Sequence, residues 1–198
     1  AFSSSGGVGA KTYSVAAGGG SINSSSGAYT APGTAGSATI RVTDSIGNIA
    51  DSAVTIVSAV AITPSSDTLA INNTRTFSGS GGLAPYSYSK PAGTGSINSS
   101  SGLYTAPAAP GSATVRVTDA LGQTADAAVT INAALAISPT TVNLLANGVQ
   151  TFTGSGGVPT LSYSVVSGGG SINSSTGAFT APASASTVTV RVTDFYGN

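Results

Sequence analysis

Cysteine, histidine, methionine, tryptophan and glutamate are all absent from this 198-residue chain. Without cysteine no disulfide can form, which says little about compartment, since a secreted protein need not have one. Charge is scarce as well: Asp, Lys and Arg together make up 6% of the residues, against roughly 25% in an ordinary soluble protein. Six acids balance six bases, so the surface is neutral and rich in hydroxyl groups. Such a surface cannot follow a phosphate backbone, and no basic amphipathic stretch would seat it on a membrane. Nucleic acid is excluded as a partner. No apolar run approaches the ~18 residues that cross a bilayer, so membrane insertion is not expected.

The same shortages bear on catalysis. A hydrolase needs an activated nucleophile with its base, or two carboxylates with separated pKa values. Serine is abundant, yet no His, Cys or Glu stands ready to deprotonate it, and there are only two Lys. No enzyme activity and no cofactor are expected. Calcium needs six to eight oxygens, usually from clustered carboxylates. The chain has no D-x-D run, so no metal site is expected either.

What the chain does have is a repeat. Phe2, Phe77 and Phe152 recur every 75 residues, as do Tyr13, Tyr88 and Tyr163, and Asp44, Asp119 and Asp194. A unit of this length can hold its own core, unlike a short solenoid repeat. Three domains are expected: 1–59, lacking its opening strands, 60–134, which is complete, and 135–198, lacking its closing strand.

The middle repeat reads as short strands divided by Gly, Pro and Asn turns. Strands are expected near Val60–Thr63, Thr68–Ile71, Arg75–Gly79, Tyr86–Ser89, Gly95–Ile97, Gly102–Thr105, Ser112–Thr118 and Thr124–Ile131. In Ser112–Thr118, Ala113, Val115 and Val117 face one way while Thr114, Arg116 and Thr118 face the other. No stretch has helical period. Short alternating strands with turns at this spacing give an all-β Greek-key sandwich of immunoglobulin type. In Asp119-Ala-Leu-Gly-Gln123, Asp accepts local backbone bonds and Gly supplies the left-handed residue of a type I turn with a bulge. Counting back from that turn pairs Arg116 with Asp126, and likewise Arg41 with Asp51.

The segments Gly95–Pro107 and Val115–Gln123, with their counterparts from Gly20 and Gly170, resemble the tandem bacterial Ig-like repeats of large secreted and surface proteins. The resemblance covers the whole chain. It implies an extracellular or cell-surface location and a role as stalk, spacer or adhesive module in adhesins, fibres and surface layers.

One position breaks the pattern. The tip of the last hairpin reads Ser45-Ile46, then Ala120-Leu121, then Phe195-Tyr196. In an immunoglobulin topology it lies at the pole nearest the preceding domain, beside the Gly-rich turn holding Val8, Leu83 or Val158. Ile46, Leu121, Phe195, Tyr196 and Leu83 are therefore candidate contact residues. They pack either on the preceding repeat or on another partner, be it another copy in a fibre, a glycan or a cell-surface ligand. The Asn-Ser-Ser triplets at Asn23, Asn98 and Asn173 and the Asn72-Asn73-Thr74 stretch match a glycosylation pattern, but read first as turns. The joints Val57-Ser58-Ala59 and Asn132-Ala133-Ala134 hold neither Gly nor Pro, which predicts a stiff array with neighbouring repeats as mutual partners. Any export signal is expected outside these 198 residues, and the edge strands that the first and third repeats lack are expected either from a longer chain or from a neighbouring molecule that donates them.

The reading is a structural rod or filament component in a bacterial surface fibre or adhesin. The alternatives are an adhesive module and a phage or virion fibre segment.

Overall fold

The computed structural model describes residues 1–197, and no helix occurs among them. Asn198, which ends the third expected domain, lies outside the described residues. The chain divides into two compact units, Ala1–Val60 with Gly81–Ala84, and Ala61–Ser80 with the residues from Pro85 onward.

The first unit holds β1 (Thr12–Gly18), β2 (Ser21–Ile22), β3 (Tyr29–Thr30), β4 (Gly36–Thr43) and β5 (Ile49–Ile56). β1, β4 and β5 form an antiparallel sheet with β4 in the centre, and β2 pairs with β3. Alternation along β4 sends Ala38 and Ile40 into the core, where they are 3% and 2% exposed. Phe2 meets Tyr29 edge to face, with ring centroids 6.2 Å apart.

In the second unit, residues 60–134 supply β6 (Ala61–Thr63), β7 (Ser66–Ala70), β8 (Thr74–Thr76), β9 (Ser78–Ser80), β10 (Ser87–Gly93), β11 (Ser96–Ile97), β12 (Leu103–Thr105), β13 (Gly111–Thr118) and β14 (Thr124–Asn132). One sheet runs β10-β13-β14-β7, with β7 parallel to β14. The other joins β11, β12 and β8, and continues through β9 to β6. β8 and β9 are one passage of chain interrupted at Phe77, whose N–H donates to the Gly102 carbonyl at 2.9 Å. This is an immunoglobulin-type β-sandwich in which the opening strand is shared between both sheets. Phe77 and Tyr104 come from one sheet, and Val115, Val117, Ala127, Val129 and Ile131 from the other. All seven are buried.

The β13–β14 register places Arg116 opposite Asp126, and β4–β5 places Arg41 opposite Asp51. Both are bidentate pairs with bonds of 2.7–2.8 Å. The turn between them is the expected one. Asp119 N–H donates to Gln123 at 2.9 Å, Gly122 N–H returns to Asp119 at 3.0 Å, and Gly122 has φ +80°. That φ is one that an L side chain rarely adopts, so glycine fits the position.

Two strands differ from expectation. β10 runs on from Ser89 to Gly93, with a register shift between Ser89 and Ala92 that absorbs Lys90-Pro91. Pro91 is tolerated because β10 is an edge strand and the missing N–H interrupts no interior ladder. β7 begins at Ser66, ahead of the apolar alternation, because its pairing is a backbone ladder to Ala128–Asn132. Ser66, Asp67 and Thr68 give no hydrophobic signal for it.

Residues from 135 onward repeat the plan with β15 (Ala136–Ser138), β16 (Val149–Thr151), β17 (Thr153–Ser155), β18 (Ser162–Ser167), β19 (Ser171–Ile172), β20 (Ala178–Thr180) and β21 (Thr189–Thr193). β15 pairs with β17, β16 and β19 flank β20, and β18 pairs with β21. Residues 141–145, equivalent to β7, form no strand among the described residues. β7 is held by its ladder to β14, and among the described residues β21 pairs with β18. Leu145 is 86% exposed.

Candidate functional site

The hairpin tips are built from the Asp that opens each turn. Asp44 Oδ1 accepts from Ile46 N–H at 3.1 Å and Asn48 N–H at 2.9 Å. Its Oδ2 accepts from Asn48 Nδ2 at 3.1 Å and, across the pole, from Val8 N–H at 2.9 Å. Asp194 repeats this arrangement, taking Tyr196 N–H at 3.1 Å and Val158 N–H at 3.0 Å. Ser45 N–H then bonds the Val8 carbonyl, and Phe195 N–H bonds that of Val158, each at 3.0 Å. The carboxylate thus clasps the hairpin to the Gly-rich turn, and this second bond is the part invisible in the turn sequence.

The Val8 N–H, followed by the Asn48 amide, draws the Asp44 pKa down to about 2. A group whose folded pKa lies below its unfolded one stabilises the fold above the unfolded value. Its contribution is complete above pH ~4 and disappears as pH falls toward about 2. The expected result is a loss of stability of the first unit across that window, read by urea unfolding at several pH values. In Asp44→Asn the slope over the window should flatten, and an unchanged slope would contradict the assignment.

Of the expected contact residues, Ile46, Leu121 and Phe195 are 67%, 57% and 67% exposed, and Leu83 and Tyr196 are 43% and 48% exposed. Phe195 and Tyr196 lie edge to face, with centroids 5.2 Å apart. Ile46 and Leu121 stand on the equivalent tips without an aromatic partner beside them in sequence.

Within the second unit the joint between residues 60–134 and those after them is hydrogen-bonded. Asn132 Nδ2 donates to the Gly157 carbonyl at 2.7 Å, and Gly157 N–H donates to Ala133 at 2.9 Å. Gly156, at φ +69°, lies so near this linker that an added Cβ would sit 2.1 Å from the Ala134 oxygen. In the first unit Gly82 N–H makes the corresponding bond to Ser58 at 2.9 Å.

Beside this joint is a cleft of about 470 Å³ lined by Ser66, Asp67, Thr68, Ala128, Thr130, Val158, Pro159, Phe195 and Tyr196. Asp67 Oδ1 accepts from Thr68 N–H at 2.9 Å, and Oδ2 lies 3.0 Å from Arg75 Nε. The pair is close in distance, but the N–H is not aimed at the oxygen, so neither atom completes a hydrogen bond. Asp67 and Arg75 were not singled out from sequence. The available signal was their joint replacement by Val142 and Gln150 one repeat later.

A larger groove of about 760 Å³ runs beside β21, with Leu144, Phe152, Phe179, Val188 and Val190 in its wall. The corresponding space in residues 60–134 is occupied by β14. The Asn98 carboxamide accepts from Ser100 and Ser101 N–H groups at 3.0 and 2.9 Å, and Asn23 and Asn173 do the same in their turns. Among the described residues no three His, Cys, Asp or Glu side chains group as metal ligands would.

Neither a protein-family model nor any curated protein matches the chain. Solved structures do. The C-terminal 282-residue fragment of intimin, in complex with the intimin-binding domain of the translocated intimin receptor, is 17% identical with a TM-score of 0.49. The match covers 69% of this chain and 56% of that one. Protocadherin gamma B2 cadherin domains 3–6 are 18% identical over 93% of this chain and 63% of theirs, with a TM-score of 0.32. The eight N-terminal Ig domains of a Dscam isoform are 12% identical over 91% of this chain and 35% of theirs, with a TM-score of 0.36. The chain thus spans less than two thirds of each. At these identities the likeness is one of fold.

Proposed function

We propose that this chain is a segment of an extracellular structural rod or stalk in a bacterial surface fibre or adhesin. It is built from tandem Ig-like domains at 1–59, 60–134 and 135–198. Neighbouring repeats are its first partners, other copies in a fibre the next, and it carries no catalytic activity.

The observation that carries this reading is the bonded joint. A flexible linker leaves its peptide groups to water, whereas here the Ala133 carbonyl accepts from Gly157 N–H and the Asn132 side-chain amide donates to the Gly157 carbonyl. The recurrence of the Gly82–Ser58 bond in the first unit supports a joint made by rule. An exact sequence period and a neutral surface also suit a part whose task is reach and direction. Phe195 and Tyr196 are assigned to the joint's outer wall, and Ile46, Leu121 and Leu83 to equivalent places on the other poles.

Small-angle scattering on Asn132→Ala combined with Gly156→Ala provides the test. The double variant should show a broadened distance distribution, with the unfolding midpoints of the separate sandwiches little changed. A profile superimposable on that of the parent would mean that this joint does not set direction.

A further inference from the structure

The cleft beside the joint brings together two of the places where the repeats depart from one another. On one wall stands Asp67, close to Arg75, and the next repeat replaces this pair with Val142 and Gln150. On the other stand Phe195 and Tyr196, where the two earlier repeats carry Ser45-Ile46 and Ala120-Leu121. The joint's backbone bonds do not depend on any of these four side chains.

We infer that this cleft is a binding site for a neutral saccharide unit. A sugar ring presents an apolar C–H face and a rim of hydroxyls, and the cleft offers a counterpart to each. The Phe195 and Tyr196 rings supply exposed aromatic surface, with a phenol as a polar handle. Ser66, Thr68 and Thr130 supply hydroxyls that both donate and accept, and Asp67 supplies acceptor capacity. Arg75 already balances the carboxylate, so the cleft has no net charge with which to attract an ion. Its volume of about 470 Å³ lies in the lower part of the range of small-ligand sites, roughly 300–1,000 Å³. A peptide strand added to the free edge of β7 would meet only five residues of ladder, headed by Ser66 and Asp67, which is a poor template.

Saturation-transfer NMR on the full chain with glucose, galactose and N-acetylglucosamine as probes provides the test. Saturation of the aromatic protons should reach the C–H groups of at least one sugar. Two variants borrow pairs that the protein already carries at the equivalent place: Phe195→Ala with Tyr196→Leu, and Asp67→Val with Arg75→Gln. The first should abolish the transfer, and the second should weaken binding about tenfold or more. Amide spectra confirm that each remains folded, and Tyr196→Leu alone decides the matter if the first pair does not. No transfer to any of the three sugars, or transfer unchanged in the variants, overturns the site. The scattering profile reports separately on the joint, so failure of the sugar signal leaves the rod reading standing on its own test.

Discussion

Phe77→Ala is expected to destabilise the sandwich built from β6 to β14 by about 3–5 kcal/mol, enough to bring a domain at the lower end of ordinary stability to the edge of unfolding at ambient temperature. Phe77 is fully buried at the point where β8 gives way to β9, and its ring meets the fully buried Tyr104 edge to face at 6.5 Å. The ring spans the two halves of a split strand, one paired to β12 and the other to β6. Neither backbone half can slide inward to refill the space, because each is held in its own ladder. The void should therefore persist, and its cost adds to the lost transfer free energy. Phe77→Leu retains most of the volume and forfeits chiefly the ring pair, so it should cost about 1–2 kcal/mol. Urea unfolding followed by near-ultraviolet circular dichroism reads both. The Tyr104 phenol, whose pKa burial raises, should titrate closer to its ordinary value in Phe77→Ala. A loss below about 1 kcal/mol would show that the core is centred elsewhere.

The same residues show what was legible in the sequence. Alternation in Ser112–Thr118 and the Asp119–Gln123 turn together determine a register, and that register places Arg116 on Asp126, as found. Both signals are local, with every partner within a dozen residues. β7 was displaced by two residues because its ladder is parallel and pairs residues more than sixty positions apart. Nothing in Ser66-Asp67 announces such a partner. Ile46, Leu121, Phe195 and Tyr196 are exposed on the hairpin tips and Leu83 on the Gly-rich turn, but the cleft needs β7, β14 and the next hairpin to converge. Asp67 and Arg75 became visible as a pair only once that convergence was known. The repeat itself held the clue, in two positions eight apart that change together.

Asp119→Ala is expected to cost about 1–3 kcal/mol, the range for stranding donors that had been bonded to a charged acceptor. The side chain is 5% exposed, and its Oδ1 takes both Leu121 N–H at 2.9 Å and Gln123 N–H at 2.8 Å. These bonds close the turn between β13 and β14, the pair that carries Val115, Val117, Val129 and Ile131 into the core. Loosening the turn therefore acts on the register of the whole pair, because a slip of one residue would turn one strand's two core side chains toward solvent. Asp119→Asn keeps one acceptor oxygen for the turn but loses the charge and turns the second oxygen into a donor, so it should retain roughly half of the stabilisation. The two variants separate geometry from charge. Equal losses would assign the effect to the charge and the second oxygen together. A near-normal Asp119→Asn beside a weakened Asp119→Ala would assign it to the acceptor that holds the turn closed. Amide exchange at Leu121 and Gln123 checks the cause directly, since both should exchange faster in Asp119→Ala than in the parent while the β10–β13 ladder keeps its protection.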